Sequence, residues 1–268
     1  MKRQGIYKPT IEDIIELSGI EALHPGGMAL TLRTANLSKL KPGMKVLDVS
    51  SGRGTQSIFY AKEFGVEVTG LDISEDMVKS ATQSAKEAGV KELATFKLGD
   101  SQDLPFEDNF FDVVINECAV GIPDDSQKVL DEMVRVTKPN GVVVIHESTW
   151  RKNIPDKEKT EISERYGTNP LEYDEWIDML KKAGVSEILT EFDEWSKPEM
   201  FWKIRKDRDV EDYTKILSRS ELVTTIERIS EIYGQDAVHV ALENQKKFWE
   251  VVLNGTLGYC LFKGIKNN

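Results

Sequence analysis

Only two cysteines, Cys118 and Cys260, occur in 268 residues. Two thiols make no disulfide framework, and they read as reduced side chains of a cytoplasmic protein. No run of about 20 apolar residues is found, so no membrane span is expected. No N-terminal apolar stretch marks a signal peptide, and Met1-Lys2-Arg3 is too little to be an address. Positive charge is scarce: 35 Lys and Arg stand against 46 Asp and Glu, a net charge of −11. A sequence-independent nucleic-acid binder shows the opposite balance, so no nucleic-acid partner is expected. Anionic membranes are disfavoured on the same ground. The pattern G-x-x-x-x-G-K-[ST] is missing, which excludes a kinase-type phosphate loop. There is neither an internal repeat nor a low-complexity segment. What remains, with 40% hydrophobic residues, suffices for one large domain or a domain plus a subdomain.

The informative stretch runs from Met44 to Asp76. A short apolar run, Lys45 to Val49, leads into Ser50-Ser51-Gly52-Arg53-Gly54. A helical pattern follows from Thr55 to Phe64, then a second apolar run, Val66 to Leu71, ending on Asp72. Strand, glycine turn, helix, strand and acid make a βαβ nucleotide-binding unit. Gly52 and Gly54 permit a close backbone approach that a Cβ would block. The helix that follows offers unpaired N–H groups to a carboxylate or phosphate. Asp72, at the carboxyl end of the second strand, can accept hydrogen bonds from both hydroxyls of a ribose.

Two cofactor classes use this geometry. A nicotinamide dinucleotide carries a pyrophosphate and asks for G-x-G-x-x-G, but the third glycine position holds Ser57. The first strand also carries an acid, Asp48, which repels a pyrophosphate. S-adenosylmethionine has no phosphate, and its sulfonium and ammonium tolerate an acid beside the turn. The residues therefore favour S-adenosylmethionine over a dinucleotide. A tight turn without a ligand is the third reading.

Val46 to Gly54 resembles motif I, D/E-x-G-x-G-x-G, of the class I S-adenosylmethionine-dependent methyltransferases. Asp48, Gly52 and Gly54 match, while Ser50 stands where the first glycine is usual, so a slightly wider turn is expected. Gly99 to Phe106 resembles the G-D-A-x-x-L-P-F segment of the small-molecule members, the quinone, sterol and methylated-glycine enzymes. The resemblance implies that Asp100 accepts a hydrogen bond from the adenine amino group and that the Ser101 N–H reaches the ring. It implies further that Ile73 packs on the adenine face, with Met77 adding to that wall. Ser50, Arg53 and Asn116 complete the expected cofactor set. Glu132 to Val142 resembles the family's L-x-E-x-x-R-V-L-K-P-G-G stretch, a structural feature. The fold implied is α/β, a Rossmann-like doubly wound seven-stranded sheet ordered 3-2-1-4-5-7-6 with its last strand antiparallel.

Two helices precede the first strand, one begun by Pro9-Thr10 and one spanning Met28 to Leu40, separated by His24-Pro25-Gly26-Gly27. Ser74 caps a helix reaching about Ala88. Ala94 to Leu98 is the third strand and Phe111 to Asn116 the fourth. An amphipathic helix spans Asp124 to Thr137, Lys138 to Gly141 is a turn, and Val142 to Glu147 the fifth strand. Residues 148–171 are expected to be loop-rich. A helix from Glu172 to Ala183, a sixth strand from Val185 to Phe192 and a last strand from Leu257 to Lys263 complete the core. Residues 193–256 exceed what the family core needs and carry two apolar stripes at helical spacing. They form a helical hairpin over the sheet edge or a contact between two copies in a homodimer. The division expected is a cap of residues 1–42, a core of 43–192 plus 257–268, and a lid of 193–256. Lys203, Arg205, Lys206 and Arg208 make a basic cluster, read as a solvated face or an anion patch.

Methyl transfer is an SN2 displacement at a carbon already activated by its sulfonium, so alignment supplies much of the rate. An acceptor bearing a proton asks for a base. Glu117, just after the fourth strand, and His24, a pocket residue or a plain turn histidine, are the catalytic candidates; His146 reads as a core histidine. The sequence lacks [DNS]-P-P-[YF] after that strand, which argues against a nucleobase acceptor and for a small molecule. No metal is expected. A non-catalytic S-adenosylmethionine-binding subunit and a nicotinamide oxidoreductase remain as alternatives.

Overall fold

The computed structural model describes residues 8–20, 24–205, 207 and 209–268; Met1-Lys2-Arg3, Lys206 and Arg208 lie outside them. Eight strands form one sheet: β1 (Lys45–Val49), β2 (Glu67–Asp72), β3 (Ala94–Leu98), β4 (Phe111–Glu117), β5 (Thr137–Trp150), β6 (Leu171–Glu172), β7 (Val185–Glu191) and β8 (Leu257–Lys266). Their order is β3-β2-β1-β4-β5-β8-β7, and the two-residue β6 pairs with β5 off this path. β8 runs antiparallel to both β5 and β7. Setting β6 aside, this is the 3-2-1-4-5-7-6 order expected.

Along each strand, side chains alternate between two cores, as a pleat of period two requires. Val46, Val113, Ile115, Val144, Tyr259 and Leu261 face one core. Leu47, Val114, Val143, Ile145, Cys260 and Phe262 face the other. The second face is covered by helices spanning Ser126–Val136 and Tyr173–Lys182, through Met133, Trp176 and Leu180. The first face carries α1 (Ile11–Ser18), α2 (Gly27–Leu37), α3 (Thr55–Phe64) and α4 (Glu75–Glu87), through Ile11, Leu30, Tyr60 and Ala85 among others. The same core runs on without a break into residues 195–257, through Trp195, Phe201, Trp202 and Trp249. There the long helices Arg219–Tyr233 and Gln235–Leu253 pack on each other and on α1. Aromatic rings bind this layer, Tyr213 stacking on Trp249 with centroids 4.9 Å apart.

Three local expectations are corrected. Residues 156–166 form a helix, Asp156–Tyr166, where loop was expected. Seven of its eleven residues are charged, and it has no apolar stripe to reveal it. It rests instead on two acids in its first turn and on Gly167 in the left-handed region at its end. β5 is far longer than Val142 to Glu147. Thr137 pairs with Phe111 and Val142 with Val113, so the expected turn at 138–141 is an irregularity within the strand. α2 ends at Leu37 rather than Leu40.

The E-x-x-R spacing also finds its reason. The Arg135 guanidinium donates to the carbonyls of Leu104 and Phe106, and Glu132 accepts from the Leu104 N–H at 2.8 Å. One helical turn thus holds the loop that follows Gly99 and Asp100. Arg205, from the basic cluster, pairs with Asp207 and Glu221 at 2.6 and 2.9 Å.

Candidate functional site

The carboxyl ends of β1, β2 and β4 lie side by side, because β1 is the middle strand of the three. The turn after β1 passes through three left-handed residues: Ser50 at φ 60°, Gly52 at φ 53° and Gly54 at φ 76°. A Cβ on Gly54 would stand 2.5 Å from the Phe96 ring, so only glycine fits. Ser50, at the position where a glycine was expected, itself holds the left-handed conformation, two residues before Gly52.

Asp48 is buried, and the Ser57 hydroxyl donates to it at 2.5 Å. Burial, with the Glu117 carboxylate adding to it, pushes the Asp48 carboxyl up to about 7, against the Ser57 hydrogen bond. Asp72 accepts from the Gly52 and Ser74 N–H groups, each at 2.9 Å, and so ties the glycine turn to the end of β2. Ile73 is 74% exposed, an apolar side chain turned outward beside that carboxylate. The Met77 N–H donates to the Ser74 hydroxyl. Asp100 accepts from the Gln102 N–H, and Ser101 is buried. Asn116 is fully buried, donating to the Val49 carbonyl and accepting from the Ala119 N–H. It clamps the chain after β4 to the end of β1. The Arg53 guanidinium turns away from the glycine turn and donates to the carbonyls of Glu16 and Ile20.

Glu117 and His24, distant in sequence, meet. His24 Nε2 lies 2.8 Å from Glu117 Oε2, both nearly inaccessible to solvent. The Thr31 hydroxyl donates to the same oxygen at 2.9 Å, and the Tyr60 hydroxyl donates to Oε1. His146, fully buried, places Nδ1 3.9 Å from Glu117 Oε2 and Nε2 2.5 Å from the Thr34 hydroxyl. Burial would raise the Glu117 carboxyl, but the two imidazoles and the Tyr60 hydroxyl hold it at about 2. Burial would lower His24, but the Glu117 carboxylate holds it above its usual value. For His146 burial wins, and its imidazole falls to about 4. The backbone makes this meeting possible. The Gly26 N–H donates to the Met200 carbonyl at 2.6 Å. A Cβ on Gly27 would stand 2.1 Å from the Lys203 carbonyl.

Four residues of this region escape the sequence reading. Thr31 and Thr34 face inward from α2, a single turn apart, and Tyr60 is the polar tip on the buried side of α3. Glu147 is an acid inside an apolar strand, which was the one available signal. It is buried and accepts from the Val120 N–H at 2.6 Å. Burial pushes its carboxyl up to about 8, against several backbone donors.

Beside His24 lies an apolar cavity of about 50 Å³ under the helical layer, walled by Ile11, Ile14, Phe201, Ile216, Phe248 and Trp249. Among the described residues, its lining carries no lysine, arginine or carboxylate. Among the described residues no helix is long and apolar enough to cross a membrane.

Residues 40–201 match the family model described as a methyltransferase domain, which is more than half of the chain. The chain belongs to this methyltransferase family. Norajmaline N-methyltransferase from Rauvolfia serpentina is 30% identical over 164 residues, 60% of this chain and 56% of that protein. The chain thus spans little more than half the length of that relative. Among solved structures, the [4+2]-cyclase SpnF aligns with a TM-score of 0.75 at 22% identity, covering 99% of each chain. Haemonchus contortus phosphoethanolamine N-methyltransferase 2, in complex with phosphomonomethylethanolamine and S-adenosylhomocysteine, aligns at 0.70 and 22% identity, over 97% of this chain and 59% of that one. A cyclase and a methyltransferase share this fold, so the reaction has to be argued from the site.

Proposed function

We propose that this chain binds S-adenosylmethionine at the carboxyl ends of β1, β2 and β4 and transfers its methyl group to a small, largely apolar acceptor. The observation that carries the reading is the left-handed turn Ser50–Gly54, flanked by the acids Asp48 and Asp72. A turn bordered by the Asp72 carboxylate and by Asp48, which carries part of a charge at neutral pH, suits a sulfonium and an ammonium better than a pyrophosphate. Family membership and the S-adenosylhomocysteine bound to the Haemonchus contortus enzyme support it. In this reading Asp72 receives the ribose hydroxyls, Asp100 the adenine amino group, and the Ser101 N–H the ring. Ile73 and Met77 flank the adenine. Ser50, Gly52, Arg53 and Gly54 shape the turn, with Asn116 clamping it from β4. The acceptor approaches on the His24 side of the turn, where the small cavity marks an apolar wall. The carbon–sulfur bond of the donor breaks as the carbon–acceptor bond forms, and S-adenosylhomocysteine leaves.

The same reading divides the chain into a cap of 1–42, a core of 43–192 plus 257–268, and a lid of 193–256. The exposed Val223, Ile232 and Leu242 offer the helical hairpin to a second copy. The two buried thiols, neither of them in a disulfide, suit a cytoplasmic setting. Calorimetry with S-adenosylhomocysteine and NADH tests the cofactor, and a mass-based screen of apolar amines, alcohols and thiols tests the transfer. Binding of S-adenosylhomocysteine alone and a product heavier by one methyl are expected. Binding of NADH alone sinks the reading.

A further inference from the structure

Three side chains able to hold a metal converge from three elements: His24 from the turn before α2, Glu117 from the end of β4 and His146 from within β5. Nε2 of His24, Oε2 of Glu117 and Nδ1 of His146 all lie within 4.8 Å of one another. Each is oriented from behind. His24 Nδ1 lies 2.9 Å from the Pro25 carbonyl and donates to it, which turns Nε2 into the cluster. His146 Nε2 engages the Thr34 hydroxyl, which leaves Nδ1 facing Glu117. That Nδ1 is buried and has no hydrogen-bond partner among the described residues. A buried polar atom without a partner asks for a reason. The Thr31 and Tyr60 hydroxyls hold the Glu117 carboxylate.

We propose that His24 Nε2, Glu117 Oε2 and His146 Nδ1 bind a divalent first-row transition-metal ion of the zinc, iron or cobalt class, leaving a coordination position open. Bonds of about 2.0–2.2 Å in a tetrahedral arrangement set neighbouring ligand atoms about 3.4 Å apart. The separations of 2.8 and 3.9 Å to the carboxylate oxygen fall on either side of that value, and the two imidazole nitrogens lie within 4.8 Å of each other, so the three ligands must draw together around the ion. Two imidazoles and one carboxylate suit these ions better than magnesium or calcium, which prefer all-oxygen shells. The hydrogen bonds behind all three ligands are the outer shell that metal-binding histidines and carboxylates usually carry. The ion also gives His146 Nδ1 its missing partner. Of the three ligands, His24 also borders the apolar cavity, which puts the ion one imidazole ring away from it. There the ion would hold an acceptor's oxygen, nitrogen or sulfur lone pair, a role that rests on the methyl-transfer reading; the site itself does not.

The test uses the full chain, stripped with a chelator and titrated with Co²⁺. One saturable equivalent with visible d–d absorption is expected, displaced by Zn²⁺ and weakened more than 100-fold in His146→Ala. No saturable binding to the wild type overturns the proposal, as does binding that survives His146→Ala. Should that variant fail to fold, X-ray absorption of the zinc-loaded wild type decides. Two imidazoles and an oxygen shell support the site, and a sulfur ligand or no imidazole overturns it. Because binding is read without turnover, a bound ion with no methyl transfer would reject the proposed function and keep the site.

Discussion

Ser50 shows how a single residue can carry strain for a loop. It holds φ at 60° where its neighbours in the turn are glycines. A left-handed L-residue costs roughly 1–2 kcal/mol. Ser50→Gly is therefore expected to stabilise the protein by about 1 kcal/mol, read from urea denaturation. No gain would mean that the serine side chain compensates its own backbone. Asp48 makes a second claim at this scale. Its carboxyl is raised to about 7 from an ordinary 3.8, so between those values the folded chain binds a proton that the unfolded chain does not. The stability this contributes is fully present below about pH 4 and is lost as pH rises through about 7. Asp48→Asn should flatten that part of the stability curve, measured as denaturant midpoint against pH. An unchanged slope would assign it to other groups. For Asp72, removal of a charged partner of the ribose should weaken S-adenosylmethionine binding by roughly 1.5–3 kcal/mol in Asp72→Ala. Unchanged calorimetric affinity would take Asp72 out of the site.

At the scale of elements, the turn before α2 decides where His24 sits. Gly27 packs against the Lys203 carbonyl so closely that a Cβ would fall 2.1 Å from it, and its φ is 47°. Gly27→Ala should cost about 1–3 kcal/mol by overpacking, and should move His24 away from Glu117. Chemical denaturation reads the first effect, and the imidazole NMR signals of His24 the second. Native stability with native imidazole shifts would refute the link. The helix Asp156–Tyr166 belongs to this scale as well. It was invisible as periodicity because its charged sequence has nothing to bury except Ile162 and Tyr166. By contrast β1, α3 and β3 were read to the residue, since each has a strong pattern and a glycine or a capping residue at its end.

At the scale of the molecule, one apolar core joins the sheet to the helical layer. Of five tryptophans, Trp150, Trp195, Trp202 and Trp249 belong to the core on the helical-layer side, and Trp176 lies across the sheet. A shared core implies a single cooperative transition. Tryptophan fluorescence and far-ultraviolet circular dichroism are expected to give coincident urea curves. Two separated midpoints would show that residues 193–256 unfold as a unit of their own.

The sequence alone carried most core strands and helices, the glycine turn and the acids around it, because these depend on local patterns: period two, period 3.6, and residues tied to one turn geometry; the strand order followed only from the family resemblance. Glu117 and His24 could be named, but nothing local says that residues 93 positions apart touch, or that His146 joins them. Only packing α2 and α3 against β4 and β5 brings two imidazoles, a carboxylate and three hydroxyls into one dry volume. Burial there fixes which of them carry charge, and burial is a property of the assembled fold and not of any segment.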